Sequence, residues 1–164
     1  MPLPTEEKNI NIVRRSIEAL NTGDVTNVSE FIHPNYFNHE SQASPERAKL
    51  RGPKEFIDTV KKLRAAFSDL HYEEQESIAS NDKVGLIMIV TGKHTGDFFG
   101  IPPKGNNFSY QAAHISRIAE EKIVEHKAIR DELRFMMQLG VIGAASLQYE
   151  PIINAWKGMM NKRT

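Results

Sequence analysis

One stretch of the sequence, from Val84 to Arg130, constrains the fold most because it reads as three strands in succession. Strand-forming residues make up three runs, at 84–94, 108–118 and 122–129. A loop rich in glycine and proline joins the first two runs, and only Ala119, Glu120 and Glu121 separate the last two. Connections this short predict a sheet of antiparallel neighbours.

Alternate residues of a strand share one face, so each predicted strand has a face that can point inward. The second strand carries on one face Phe108, Tyr110, Ala112, His114 and Ser116. The third strand carries Val124, His126 and Ala128. The first strand carries Leu86, Met88, Val90 and His94. We expect these three faces to line one pocket.

Helical periodicity flanks the predicted sheet. Apolar residues recur at helical spacing after Thr5, which can cap a helix, and after Gly52-Pro53, where proline suits the first helical turn. The shorter predicted elements are a helix at 25–32, strands within 33–39 and at 70–79, and helices at 131–139 and 147–160. These elements are segregated rather than alternating, which is the pattern of the α+β class.

The first and third strands of the predicted sheet are apolar on much of both faces. Ile87 and Ile89, for example, lie opposite Leu86 and Met88. A sheet of this kind must be covered on both sides. We expect helices on one side and a second copy of the chain on the other, which makes a homo-oligomer, most simply a dimer.

The composition excludes several classes of function. The 164 residues suit one domain with a substantial core. Lys+Arg and Asp+Glu both number 21, so the basic stripe that nucleic acid requires is not expected. The chain has no cysteine, and therefore no disulfide or thiolate metal site. No signal-peptide pattern or membrane-length apolar run is found, so we expect a cytoplasmic protein without a membrane partner.

Several motifs resemble those of a known family and keep their order along the chain. The most specific is the run TGKHTGDFFGIPPKG at 91–105. The weaker motifs are Asn21-Thr-Gly-Asp24, His33-Pro-Asn-Tyr36, Gly52-Pro53 and Lys122-Ile-Val-Glu-His126. Together they resemble the SnoaL-like polyketide cyclases, also called ester cyclases, within the nuclear transport factor 2-like superfamily. We therefore expect a SnoaL-like domain over 1–140 and a helical C-terminal extension over 141–164.

The resemblance implies a cone-shaped fold, in which a curved antiparallel sheet packs on N-terminal helices around a ligand cavity. It implies dimers or tetramers, and a reaction that closes a ring in a polyketide ester by intramolecular aldol condensation. It implies no metal and no organic cofactor. In that reaction a single aspartate takes the proton from the nucleophilic carbon and acts as an acid on the carbonyl.

The resemblance also aligns two anchors of the site. The segment His114-Ile-Ser-Arg-Ile118 matches the family's histidine on the penultimate strand. The segment from Lys122 to Lys127 matches the last strand, which places Ala128 where the family has its aspartate. Alanine neither gives nor accepts a proton, so the acid–base chemistry is altered at this position.

Two histidines are the candidates for proton transfer. His114 and His126 face the expected pocket, and an imidazole titrates with an unperturbed pKa of about 6.5. The alternative for each is a hydrogen-bonded lining or core residue. The candidates for ligand binding are His39, His94, Phe98, Phe99, Phe108, Tyr110, Ala128 and Arg130.

Neighbouring polar residues have simpler interpretations. Asp131 is expected to cap the helix that follows it, and Glu125 to face away from the pocket. Arg130 makes either a surface salt bridge or a contact with an anionic group at the pocket mouth. Three histidines such as His94, His114 and His126 can bind zinc. No carboxylate is clearly placed beside them, and the resemblance implies a metal-free family, so no metal is expected.

The sequence thus predicts a hydrophobic pocket for a small carbonyl or polyketide-like molecule. One interpretation is a cofactor-free cyclase or isomerase with altered acid–base residues. The alternatives are a non-catalytic binding protein for an aromatic ligand, and an interaction module that uses the sheet face and the tail around Trp156.

Overall fold

The computed structural model describes residues 5–143. The helices are α1 (Thr5–Thr22), α2 (Gly52–Ala66) and α3 (Glu132–Gln138). The strands are β1 (Ile32–Asn38), β2 (Phe67–Ser80), β3 (Lys83–His94), β4 (Asn107–Ala119) and β5 (Lys122–Arg130). Single 3-10 turns lie at Val28–Glu30, His39–Ala43 and Arg47–Lys49. None of these helices is long and apolar enough to cross a membrane, and the predicted tail helix at 147–160 lies outside the described residues.

The five strands form one curved, unclosed sheet in the order β1-β5-β4-β3-β2. The edge strand β1 runs parallel to β5, and all other neighbours are antiparallel. The three predicted runs between residues 84 and 130 are confirmed as β3, β4 and β5, with ends within one residue of the prediction. The strand expected within 33–39 is β1.

The helix predicted at 25–32 is wrong. Only Val28–Glu30 is helical, and Ile32 already belongs to β1. The N–H of Ile123 donates to the carbonyl oxygen of Phe31 at 2.8 Å, so pairing with β5 takes this segment into the sheet. Pro34 is tolerated there because β1 is an edge strand.

Helices α1 and α2 cover the inner face of the sheet. Their apolar stripes are buried as the helical spacing predicts: Val13, Ile17, Leu20, Phe56 and Val60. Leu86, Met88 and Val90 of β3 are also fully buried. Each such side chain contributes about 2 kcal/mol through burial. The α+β class is confirmed, with the core between the helices and the sheet.

A register shift between β4 and β5 corrects one predicted face. Arg117 pairs with Glu125, but Ile118 pairs with Ile123, so Val124 is the extra residue of a β-bulge. The alternation that placed Val124 inward is therefore wrong. Ile123 occupies the inner face instead and is 1% exposed.

The outer face of the sheet carries a row of apolar side chains. Ile87 of β3 pairs with Ala113 of β4, which in turn pairs with Ile129 of β5. Paired residues share a face, so these side chains lie side by side. Ile129 is 70% exposed, and Ile78 at the β2 edge is also exposed.

Candidate active site

A cavity of about 760 Å³ opens between the helices and the inner face of the sheet. Its walls come from α1, α2 and α3 and from the inner sides of β1, β2, β4 and β5. Aromatic side chains form much of its apolar lining: Tyr36, Phe67, Tyr72, Phe98, Phe108 and Tyr110. A cavity of this volume and character suits a small, largely apolar molecule.

A chain of hydrogen bonds links the two candidate histidines to a buried carboxyl group. His114 Nδ1 lies 3.0 Å from His126 Nε2, and His126 Nδ1 lies 3.1 Å from Asn38 Oδ1. Asn38 Nδ2 donates in turn to Glu55 Oε1 at 3.0 Å. Since β4, β5, β1 and α2 each supply one member, the chain depends on the parallel pairing of β1 with β5.

The hydrogen-bond partners assign the ring tautomers. Asn38 Oδ1 accepts from the backbone N–H of Glu40 at 3.1 Å, so this atom is an acceptor and His126 Nδ1 must donate to it. In the neutral ring His126 Nε2 is then an acceptor, and His114 Nδ1 donates to it. The Nε2 atom of neutral His114 therefore keeps its lone pair, and it has no partner among the described residues.

Glu55 anchors the far end of this chain. Its residue is 0% exposed, and it lies on the inner side of α2. Besides Asn38, Thr59 donates to its Oε1 at 3.0 Å, and the guanidinium of Arg47 approaches the same atom at 3.4 Å. Burial raises the pKa of Glu55, while these donors act in the opposite direction.

Burial also lowers the pKa of both histidines in the hydrogen-bond chain. Desolvation, followed by the neighbouring His126, lowers the pKa of His114 from 6.5 to about 3. Desolvation, followed by Arg130, lowers the pKa of His126 to about 4. Both rings are therefore neutral at physiological pH, and His114 Nε2 can accept a hydrogen bond.

Position 128 lies beside His114, as the resemblance requires. His114 and Ala128 are cross-strand partners. The backbone N–H of Ala128 donates to Glu40 Oε1 at 3.1 Å, and Glu40 Oε2 lies 2.5 Å from the guanidinium of Arg130. Arg130 lines the cavity and also pairs with Glu132 at 2.9 Å. The methyl group at 128 is therefore flanked by a histidine and by an ion-paired carboxylate.

The aromatic candidates Phe98, Phe99, Phe108 and Tyr110 all line the cavity. Phe108 and Tyr110 come from the inner face of β4 and are buried. Phe99 lies on the loop after β3, has φ of +52°, and is 61% exposed. The Arg47 guanidinium lies 5.8 Å from the Phe99 ring centroid, so this pair stands at the cavity mouth.

Three candidates do not reach the cavity. His94 is fully buried against the ring of Phe67, at 5.5 Å between centroids, and no residue of β3 lines the cavity, contrary to expectation. His39 is largely exposed and bonds Glu125 at 2.7 Å through Nε2. Ala128 is covered on its backbone side by Glu40 and contributes no lining surface.

Two simpler interpretations agree with the structure. Asp131 Oδ1 accepts from the N–H of Arg134 at 3.1 Å, which caps α3 as predicted. Glu125 points away from the cavity and accepts from Arg117 Nε at 2.9 Å. Hydrogen bonds to Arg117 and then His39 lower the pKa of Glu125.

Four polar residues of the site were not predicted from the sequence: Asn38, Glu40, Arg47 and Glu55. Asn38 lies in the strand expected within 33–39, and Glu40 and Arg47 lie between that strand and Gly52-Pro53, where no element was predicted. Glu55 and Thr59 are four residues apart on a helix and adjoin the apolar positions 56 and 60. Every amphipathic helix has polar neighbours of this kind beside its apolar stripe, so the spacing gave no distinct signal of a buried site.

Metal ligation has no support in the described part of the chain. No group of three or more His, Cys, Asp or Glu side chains within residues 5–143 is arranged to hold a metal ion. The three histidines considered for zinc are not grouped, because His94 is packed against Phe67 whereas His114 and His126 contact each other.

The family model for SnoaL-like polyketide cyclase matches residues 10–139. The chain is 39% identical over 132 residues to the aklanonic acid methyl ester cyclase DnrD of Streptomyces peucetius, which covers 80% of this chain and 90% of that protein. It is 34% identical over 125 residues to the nogalonic acid methyl ester cyclase of Streptomyces nogalater, covering 76% and 91%.

A solved structure shares the fold. TsrD from Streptomyces laurentii superposes with a TM-score of 0.75 at 23% identity, covering 86% of this chain and all of that one. The helices on a curved, open sheet match the nuclear transport factor 2-like fold. Both the family model and the cyclase relatives match most of the sequence, and the chain belongs to the SnoaL-like polyketide cyclase family.

Proposed function

We propose that this protein binds a small carbonyl compound of the polyketide methyl ester type and cyclises or isomerises it without a cofactor. The relatives are named as cyclases of aklanonic acid and nogalonic acid methyl esters, which supports both the substrate class and the reaction. The aromatic cavity fits the largely apolar body of such a molecule.

His114 is the proton acceptor in this reaction. Its Nε2 takes the proton from a carbon between two carbonyl groups, and the electrons of the C–H bond form the enolate. The enolate carbon attacks a second carbonyl of the same molecule, which forms the C–C bond and leaves an alkoxide. The alkoxide takes the proton back from the imidazolium, so the product is an isomer of the substrate.

The observation that carries the proposal is the His114–His126–Asn38–Glu55 chain, which fixes one tautomer and leaves the Nε2 lone pair of His114, a residue of the cavity lining, without a partner among the described residues. A histidine that served only packing would not need three successive partners. In this arrangement His126 supports His114 from behind and holds its ring in place.

Deuterium exchange tests the proposal, with methyl benzoylacetate as an aromatic 1,3-dicarbonyl methyl ester and NMR as the readout. We expect the protein to accelerate exchange, and His114→Phe to lower the enzymatic rate by about 100-fold. His71→Gln changes an exposed histidine of β2 and serves as the control. Saturable binding of the probe without accelerated exchange would instead identify a non-catalytic binding protein.

We further propose that the protein forms a homodimer through the outer face of the sheet. The apolar row formed by Ile87, Ala113 and Ile129 supports this, because burying Ile129 against a second copy removes a largely exposed side chain from water. Ile129→Lys is expected to shift the protein from dimer to monomer in sedimentation velocity. An unchanged sedimentation coefficient would contradict this dimer interface. The face would then be better explained as a binding surface for another protein.

A further inference from the structure

We propose that Glu40 replaces the aspartate that the family has at position 128, as the negative charge that accompanies proton uptake by His114. The inference rests on the proposed function, since it assigns the charge partner of the same proton acceptor. Glu40 comes from the 3-10 turn at His39–Ala43 rather than from the sheet.

The carboxylate of Glu40 is held at position 128 by two contacts. Its Oε1 accepts from the backbone N–H of Ala128 at 3.1 Å, and its Oε2 pairs with Arg130 at 2.5 Å. The backbone N–H of Glu40 is itself bonded to Asn38 Oδ1, at 3.1 Å. Glu40 lines the cavity, so its charge lies on the same side of the sheet as His114.

Alanine at 128 fits this arrangement. An aspartate at position 128 would place its carboxylate next to that of Glu40, which the backbone N–H of residue 128 already binds. Two adjacent like charges disfavour each other's ionised form. His114 and Glu40 therefore reach position 128 from two sides: His114 as its cross-strand partner on β4, and Glu40 from the turn that follows β1.

The charged and titratable groups around His114 define what Glu40 does. His126 and Arg130 on β5 both oppose a positive charge on His114, whereas Glu40 favours it, and Tyr72 of β2 packs edge-on at 5.8 Å. Without Glu40, only Glu132 would remain to offset the charge of Arg130 near the imidazolium formed during the reaction. Glu40 thus acts through His114 and is a positioning residue rather than a proton carrier.

Charge-swap variants test this role with the methyl benzoylacetate exchange assay. Glu40→Gln should lower the exchange rate about tenfold or more and shift the acid limb of its pH profile, because imidazolium formation loses its counter-charge. Removing the opposing charge as well, in Glu40→Gln/Arg130→Gln, should restore the rate to within about threefold. Glu40→Gln/Ala128→Asp should also recover, since the carboxylate returns to the family's position.

Glu125→Gln is the matched control. It removes the negative charge from a side chain that ties the same turn to the same strand through a hydrogen bond to His39, but leaves the Glu40 carboxylate in place, so the rate should stay within about twofold. Circular dichroism and urea midpoints show whether each variant is folded. A folded Glu40→Gln protein with the wild-type rate and pH profile, or double variants without recovery, would overturn the inference while His114→Phe still tests the proposed function. If wild type and His114→Phe exchange alike, the proposed function fails and the inference fails with it.

Discussion

His94 and His114 are both buried on the inner faces of adjacent strands, but their surroundings differ. His94, at the end of β3, packs against Phe67, and neither ring nitrogen has a partner among the described residues. His114 on β4 is bonded to His126 and lines the cavity. The difference follows from strand order, because β4 adjoins β5, and β5 adjoins β1, which brings Asn38 within reach.

Burial alone therefore does not mark a functional histidine. On the β1-β5-β4 side of the sheet, inward side chains hydrogen-bond to polar residues from outside the strands. On the β4-β3-β2 side, inward side chains pack against aromatic rings. Three predictions test whether the two regions also differ in their contributions to the free energy of unfolding.

The largest expected effect is a loss of stability in mild acid. The folded-state pKa values of His114 and His126 lie at about 3 and 4, below the ordinary 6.5, so below pH 6.5 the unfolded chain binds more protons than the folded one. The free energy of unfolding should therefore fall by about 3 kcal/mol between pH 7 and pH 5. Glu55 works in the opposite sense, since burial raises its pKa, and offsets part of the loss toward lower pH.

Urea unfolding at several pH values measures this loss. A stability that is flat from pH 7 to pH 5 would mean that the two rings are hydrated in the folded protein. His71→Gln, on an exposed part of β2, should leave the slope unchanged.

A smaller effect is expected from breaking the polar chain in the middle. His126→Leu leaves His114 Nδ1 without its acceptor and removes one donor from Asn38 Oδ1. The expected cost is about 2 kcal/mol at pH 7, measured from urea midpoints. It should also remove part of the acid-dependent loss, because one of the two depressed pKa values is gone. An unchanged midpoint would show that the hydrogen bonds of His126 do not contribute to the free energy of unfolding.

The smallest effect, with the opposite sign, is expected at the other histidine. His94→Leu replaces a buried polar ring, whose nitrogens have no partner in the described chain, by an apolar side chain of similar size. The free energy of unfolding should stay unchanged or rise by about 1 kcal/mol. A clear destabilisation would show that the ring of His94 makes a polar contact that matters, and the contrast between the two regions would then weaken.

The sheet was predictable because its determinants are local. Alternation and turn residues located β3, β4 and β5, and the helical spacing located α1 and α2. The inward face of β5 was predicted correctly at His126 and Ala128 but not at Val124, because the bulge there reverses the alternation and leaves no periodic signal. The family resemblance correctly placed Ala128 opposite His114.

The polar part of the site was not predictable from pattern. Asn38 and Glu40 act through the parallel pairing of β1 with β5, which joins residues more than 80 positions apart in the sequence. Glu55 looked like an ordinary surface glutamate of a helix, although the fold buries it completely. Long-range pairing, rather than local propensity, decided which polar residues meet.

The 3-10 turn at His39–Ala43 has a consequence for how this fold changes over evolutionary time. One short connection supplies the carboxylate at position 128 and, through the backbone N–H of Glu40, bonds the side chain of Asn38. Exchanging a few residues of that connection can therefore give the same cone a different acid–base character, while the hydrophobic interior and the strand pairing stay as they are.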